Sequence, residues 1–353
     1  LNRINRQHKQ ISAQMKELRQ RTDEFDQITG SMREGLVLLD NSEKILHLNP
    51  AACSLFGTDS TCVGQDFLTV ERSREVSEAI RQAMEQGHSE IRSHREGKTY
   101  QFDMTRIDSQ GDVVGTVILA FDITDRENGE QLRREFTANV SHELKTPLQG
   151  IIGSAELIEN GLVKPEDVPH FAGNIHRETE RLIGLVNDII KLSRLDEGGG
   201  LGQWETVDLY EEARAVLEQL APAAQRKQVT TRLQGGEALV RGVPQIVEEI
   251  VYNLCDNAIA YNRANGSVTV TVENTAFGPR ITVADTGIGI PREAQGRVFE
   301  RFYRVDKSHS SGGTGLGLSI VKHGAAYLGA QVELHSEPGH GSTFTLTFPK
   351  AGA

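Results

Sequence analysis

Two glycine-rich stretches, ADTGIGIP at residues 284–291 and GGTGLGLSI at residues 312–320, decide how the C-terminal half of this 353-residue chain is read. In each, a strand or loop gives way to closely spaced glycines, and the second leads into a helical pattern. Such loops let backbone N–H groups approach phosphate oxygens, and a helix N-terminus adds a favourable dipole. Neither stretch ends in the Gly-Lys-Ser/Thr of a P-loop, and neither has the strand-turn-helix setting of a dinucleotide GxGxxG. Upstream lies VPQIVEEIVYNLCDNAIAYN, residues 243–262, in which Glu249, Asn253, Asn257 and Tyr261 are spaced by four and share one helical face. Ile246, Val247, Ile250, Val251, Leu254 and Ala258 cover the other side. A carboxylate and amide oxygens suit Mg²⁺, which prefers oxygen ligands and bridges substrate phosphates. A polar helical face taken alone is more often only a solvated one; the neighbouring glycine loops reverse that preference.

Working outward, SVTVTVE, RITVADT, QVELHSE and TFTLTF alternate as half-buried strands, and helices are expected over about 208–226, 244–262 and 316–328. Residues 201–353 therefore read as an α/β sandwich, with helices over a mixed sheet.

Residues 128–200 read as two long amphipathic helices around the turn-rich NGLVKPEDVP, closed by a flexible EGGG at 197–200. Phe171, Ile175, Leu182, Leu185, Ile189 and Leu192 repeat with heptad spacing, with Glu178 as the polar interruption. Two helices cannot bury such stripes alone, and a homodimer giving a four-helix bundle is the natural solution. In FTANVSHELKTPLQG, 136–150, the apolar stripe runs through Val140, Leu144, Leu148, Ile152 and Ala155. His142 lies two residues from both Val140 and Leu144, roughly 200° round the helix, and so faces solvent. Thr146 is one turn on, on the same face, and Glu143 is its neighbour. Pro147 removes a helical N–H and bends the turn at a cost of about 3 kcal/mol. On residue chemistry alone His142 remains open between an inert surface residue and a nucleophile with Glu143 as its base.

Residues 28–127 form an α+β segment. GLVLLD and KILHLN make a hairpin, PAACSLFG a short helix with Pro50 at its first turn and Gly57 as its stop, and EIRSHREGKTYQFDMTRID with VVGTVILAFDIT a three-strand meander turning at Glu96-Gly97. Residues 1–27 carry Ile4, Ile11, Met15, Leu18 and Phe25 as a narrow stripe, expected as a coiled-coil or linker helix. The whole is thus a multidomain α+β chain.

Composition narrows the classes. A chain with 37% hydrophobic and 25% charged residues is globular, and a net charge of -11 imposes no basic surface for nucleic acid. Cys53, Cys62 and Cys255 have neither metal-ligand spacing nor a disulfide framework. No run of about 18 apolar residues is present in the sequence to span a bilayer.

With these stretches in hand, the chain resembles the sensor histidine kinases of two-component signalling. SHELKTPL looks like their H box, NLCDNA the N box, DTGIGIP the first G box, FERFYRVD the F box, GTGLGLSI the second G box and PGHGSTFTLTFP the closing segment. The NPAA at 49–52 and the DIT at 122–124 resemble a PAS domain. The resemblance implies a linker helix (1–27), a PAS-like sensor domain (28–127), a dimerisation and histidine phosphotransfer domain (128–200) and an ATP-binding domain (201–353).

The resemblance also implies roles. His142 accepts the γ-phosphoryl group of ATP, Glu143 is the general base, and Thr146 orients a hydrolytic water for dephosphorylating the regulator. Asn257 and Glu249 hold Mg²⁺, with Asn253 in support and Tyr261 on the same face. Asp285 accepts from the adenine amino group, and Gly287 and Gly289 keep the base pocket open. Gly313, Thr314, Gly315, Leu316 and Gly317 shape the phosphate loop. Arg304 and Lys307 neutralise charge on the transferred group, while Phe299 and Phe302 anchor the lid by packing. The family's N box usually continues with a lysine where this chain has Ala260, which predicts weaker nucleotide binding, with Arg263 as a partial substitute. The implied partners are a second copy of the chain and the receiver domain of a response regulator. The implied setting is the cytoplasmic portion of a protein anchored in the inner or plasma membrane. Two alternatives stand beside it: a clamp-type ATPase of the chaperone or topoisomerase kind, and a PAS scaffold with a degenerate ATPase.

Overall fold

The computed structural model describes residues 2–197, 202–305 and 313–350, the side chains of 2–10 and 197 aside. The chain divides into two compact units, residues 1–134 and 135–353.

In the first unit, helix α1 (Asn2–Gly30) carries Ile11, Met15, Leu18, Phe25 and Ile28 exposed along its length. Strands β1 (Gly35–Asp40) and β2 (Ile45–Leu48) pair antiparallel. They lead into the short helix α2 (Pro50–Phe56), which Gly57 ends in the left-handed region. Helix α3 (Arg74–Gln86) buries Val76, Ala79, Ile80 and Ala83. Strands β3 (His88–Arg95), β4 (Lys98–Ser109) and β5 (Asp112–Asp122) follow, giving the sheet order β2-β1-β5-β4-β3. Both loops of the meander, Glu96-Gly97 and Gln110-Gly111, have positive φ at each residue, the geometry that matches the twist of a tight hairpin. Leu39, Ile45, Phe67, Ile80, Phe102, Met104 and Ile118 fill the core between sheet and helices.

Asn49 joins the parts of this unit. It is fully buried, and its Oδ1 accepts from Leu36 N–H and Ala52 N–H, each at 2.9 Å, the second capping α2. Its Nδ2 donates to the carbonyls of Thr29, in the last turn of α1, at 3.0 Å and of Glu34, just before β1, at 2.8 Å. One amide thus ties the end of the linker helix to the first strand and the first short helix.

Helix α4 (Thr124–Glu159) starts within the segment assigned from sequence to the PAS-like domain, and α5 (Val168–Glu197) returns beside it. Pro147 lies inside α4 and is its buried residue, with Val140, Leu144 and Ile151 half-buried. Leu148 and Ile152, expected in the buried stripe, are open at 42% and 54%, and Ala155 is exposed as well. The physical reason is that α5 covers one side of α4 only. On α5, Leu185 and Leu192 are buried as expected, while Ile183, Val186 and Ile190 stay open. The 198–200 part of the expected hinge lies outside the described residues.

The ATPase-like part opens with β6 (Glu205–Asp208), capped by Asp208 into α6 (Leu209–Arg226), then β7 (Thr230–Gly235) and β8 (Leu239–Gly242), which pairs with β6. Helix α7 (Pro244–Ala260) follows, then β9 (Ser267–Thr275) and β10 (Gly278–Asp285). Helices α8 (Arg292–Gln295) and α9 (Gly317–Tyr327) precede β11 (Gln331–Glu337) and β12 (Gly341–Thr347). The sheet order is β11-β12-β10-β9-β7, with β7 parallel to β9 and the other pairs antiparallel, the mixed sheet expected. Strand β7, the β6–β8 pair and the one-turn α8 were not among the sequence expectations. Val268, Val270, Val272, Ile281 and Val283 pack under Val247, Ile250, Val251 and Leu254 of α7.

Replacing Asn49 by alanine is expected to destabilise the first unit by about 3 kcal/mol, because four backbone groups lose their partner in a buried place. Asn49→Asp should also destabilise it, since a carboxylate cannot donate to the Thr29 and Glu34 carbonyls. Urea unfolding of the two variants against the parent chain measures both effects.

Candidate functional site

Helix α7 turns its apolar residues to the sheet and leaves Glu249, Asn253, Asn257 and the cap residue Tyr261 on one wall of a cleft of about 760 Å³. From Glu249 to Tyr261 is roughly 18 Å at 1.5 Å per residue, long enough for a base, a sugar and a chain of phosphates. Tyr261 sits at the C-cap of α7 rather than in helical conformation, yet still lines the cleft.

At the Tyr261 end, the backbone N–H of Ile288 bonds the Tyr261 carbonyl at 3.1 Å, fastening the loop after β10 to α7. Asp285 lines the cleft and accepts the Gly287 N–H at 2.7 Å. Burial pushes its carboxyl above the usual carboxylate range, opposed by the backbone N–H groups of Gly287 and Ser342. Gly287 lies behind the cleft wall, and a Cβ there would strike the Tyr261 carbonyl and the Asp285 carboxylate. Gly289 has φ +71°, and a Cβ would run into the Glu337 carbonyl. Ile288, Ile290, Val298 and Phe344 supply apolar surface, so a carboxylate and hydrophobic side chains line this cleft together.

At the Glu249 end, α9 begins against the amide face of α7. A Cβ on Gly317 would lie 2.7 Å from Asn253 Oδ1 and 3.6 Å from Asn257 Nδ2. Gly313, Thr314, Gly315 and Gly317 line the cleft, as does Arg304. Asn253 Nδ2 donates to Glu249 Oε1 at 3.1 Å and to the Glu249 carbonyl at 2.8 Å. The cradle of close-packed glycines at a helix N-terminus fits a phosphate chain, and the oxygen-rich set of Glu249, Asn253 and Asn257 fits Mg²⁺.

Some expected residues stand elsewhere. Leu316 does not reach the cleft; it is fully buried with Leu185, Leu192 and Ile320 where α5 meets α9. Arg263 is not among the lining residues either. Lys227, at the end of α6, places its ammonium on the Ala260 carbonyl and is likewise not a lining residue. Lys307 lies outside the described residues. Phe299 packs edge-on to Phe344, and Phe302 packs on Phe136 of α4 with ring centroids 5.8 Å apart, so both serve by packing as expected. Asp188 and Lys191 of α5 line the cleft and were missed from sequence, because heptad reading treats such positions only as the polar side of a bundle helix.

His142 is on α4 with its side chain 80% exposed, its Nδ1 3.7 Å from Glu143 Oε1. The second carboxylate oxygen of Glu143 is 3.8 Å from Arg181 of α5. Thr146 Oγ1 donates to the His142 carbonyl at 3.3 Å. His142, Glu143 and Thr146 therefore form one cluster, separate from the cleft residues.

Comparison with known proteins bears on this pair of sites. Residues 242–352 match the family of histidine kinase-, DNA gyrase B- and HSP90-like ATPases. Residues 132–198 match the His Kinase A (phospho-acceptor) domain, and residues 30–128 the PAS fold. The chain carries the domains of a sensor histidine kinase. It is 38% identical over 238 residues to the sensor-like histidine kinase SenX3 of Mycolicibacterium smegmatis, covering 66% of this chain and 62% of that protein. It is 30% identical over 334 residues to the sensor protein kinase WalK of Staphylococcus aureus, covering 92% of this chain and 55% of that one. The chain thus spans little more than half the length of these relatives. In fold it is similar to the histidine kinase ThkA, solved in complex with the response regulator protein TrrA, with TM-score 0.52, 20% identity and 90% and 96% of the two chains covered. It is likewise similar to the Acinetobacter baumannii histidine kinase AdeS, with TM-score 0.51, 24% identity and 60% and 98% covered.

Gly289→Ala is expected to lower the stability of the ATPase-like domain by at least about 2 kcal/mol, since it combines a left-handed φ with a backbone collision. Gly296→Ala, at φ -69° with open space around it, should leave the melting temperature unchanged. Thermal unfolding of the two variants separates the cases.

Proposed function

We propose that the chain is an ATP-dependent protein-histidine kinase that phosphorylates its own His142 and passes the phosphoryl group to an aspartate of a response regulator. The observation that carries this reading is the exposed His142 with the Glu143 carboxylate at its Nδ1, on the helix that matches the phospho-acceptor domain, in one unit with a glycine-walled cleft.

In this reading Glu143 takes up the proton charge at Nδ1, which leaves Nε2 as the nucleophile towards the γ-phosphorus of ATP. Asp285 accepts from the adenine amino group, a buried polar pairing that selects adenine over bases lacking the donor. The backbone of Gly313, Gly315 and Gly317 cradles the phosphates, and Thr314 and Arg304 attend them. Glu249, Asn253 and Asn257 would hold Mg²⁺, which supplies charge neutralisation on the phosphates. Neither Arg263 nor Lys227, which bonds the Ala260 carbonyl, lines the cleft, so the cation of the family's N-box lysine is not replaced there by either of them. His142 is not a cleft residue here, so transfer requires the ATPase-like domain to move, or the cleft of a second copy to reach it.

A homodimer completes the bundle. The open Leu148 and Ile152 on α4 and Ile183, Val186 and Ile190 on α5 supply the apolar faces that a second hairpin would bury. We read the chain as the cytoplasmic portion of a longer membrane-anchored sensor; among the described residues no helix is long and apolar enough to cross a membrane itself. The exposed Thr146 hydroxyl, one turn from His142, supports a regulator phosphatase activity as well.

Incubated with γ-labelled ATP, the protein should take up a label that is acid-labile and alkali-stable, and His142→Gln should take up none. A labelled His142→Gln protein overturns the assignment. Thr146→Ala should slow dephosphorylation of the regulator by tenfold or more while autophosphorylation continues, because positioning a water contributes powers of ten in effective concentration. Unchanged dephosphorylation makes Thr146 a helix residue only.

A further inference from the structure

The Glu249 end of the cleft is lined in part by a helix of the hairpin that carries no other cleft residue. Asp188 and Lys191 come from α5, yet both line the cleft. Thr314 Oγ1, which also accepts the Leu316 N–H at the entry to α9, donates to Asp188 Oδ2 at 2.9 Å. Lys191 Nζ bonds Glu249 Oε2 at 2.6 Å. With Asn253 on Oε1, both carboxylate oxygens of Glu249 are engaged.

The signs of these charges matter. The start of α9, with its glycine loop, favours an anion, and Asp188 brings a carboxylate there. Glu249 calls for a cation, and Lys191 brings an ammonium. Helix α5 thus offers this end of the cleft an anion and a cation in the same places that a phosphate oxygen and a divalent metal would claim.

The contact continues along α5. Leu185 and Leu192 bury against Leu316 and Ile320. Two turns beyond Asp188, Asp196 accepts from Arg301 at 2.7 and 2.8 Å and lies 3.1 Å from His323 Nδ1. Arg301 in turn stacks over Phe136 of α4.

We propose that Asp188 and Lys191 are an internal competitor for the metal–phosphate end of the nucleotide, so that loading of the cleft and docking of α5 exclude one another. The proposal rests on the nucleotide reading of the cleft. Nucleotide cannot bring its metal to Glu249 while Lys191 holds it, and the docked state divides the apparent affinity by the fraction of molecules that are open. By reciprocity, nucleotide releases α5 from α9 and from the segment at Arg301.

The test is calorimetric titration of a non-hydrolysable ATP analogue with Mg²⁺ into the full chain and into Lys191→Ala, Asp188→Ala and Asp196→Ala, each first checked for an unchanged melting transition. Removing one charge-assisted contact should tighten binding roughly tenfold. Asp196→Ala, which loosens the same interface without touching the cleft, should tighten it too. Lys191→Gln and Asp188→Asn provide the same comparison should an alanine variant melt early. Hydrogen exchange of residues 185–196 in the parent chain should rise on adding the analogue. Variants that bind no tighter than a parent that does bind, with no rise in exchange, overturn the competitor. A parent chain that binds no analogue at millimolar concentration overturns the reading of the cleft instead.

Discussion

Helix α7 has to satisfy two environments at once, and the arrangement of the C-terminal part depends on how it does so. Its apolar residues lie on the β9 and β10 valines, which leaves Glu249, Asn253, Asn257 and Tyr261 no place except a cleft wall. The remaining walls approach that face so closely that side chains are excluded at set points. Gly287 passes against the Tyr261 carbonyl, and Gly317 against Asn253. The glycines at these two points are thus a packing demand of the α7 face.

The helical hairpin has the opposite problem, too much apolar surface for its own two helices. One share is settled inside the hairpin around Pro147. A second share of α5, Leu185 and Leu192, is settled against α9. The third, from Leu148 and Ile152 to Ile190, is left open and suits a second copy. Because α5 serves two of these surfaces, whatever moves it relative to α9 also alters the end of the cleft that Asp188 and Lys191 line. Separately, in the first unit, Asn49 gives the end of the linker helix a fixed purchase on strand and helix through one buried amide.

Much of this was legible in the sequence, for reasons of period and composition. Alternating valines and threonines called the strands β9, β10 and β12, and Gly57, Glu96 and Gly97 stand where positive φ was needed. Strand β7 escaped notice because TTRLQG has little apolar alternation, and its place is set by pairing with β9. The exposure of His142 followed from helical angles alone, as did the shared face of Glu249, Asn253 and Asn257.

What the amino-acid order determined by itself was therefore local: which residues share a helical face, where glycine must stand, and which stretches repeat with strand or helix period. Three matters were decided only by the tertiary structure. Leu316, one residue from Gly317, went to the interface with α5 and not to the cleft. Lys227 came to the Ala260 carbonyl from a different helix, and Arg263, expected to compensate in part for the missing lysine, does not line the cleft. Asp188 and Lys191 reached the Glu249 end of the cleft from a bundle helix some sixty residues before Glu249, the last through a single ion pair. Each is a contact between elements distant in the chain, and periodicity fixes the face a residue occupies without naming the element that will cover it.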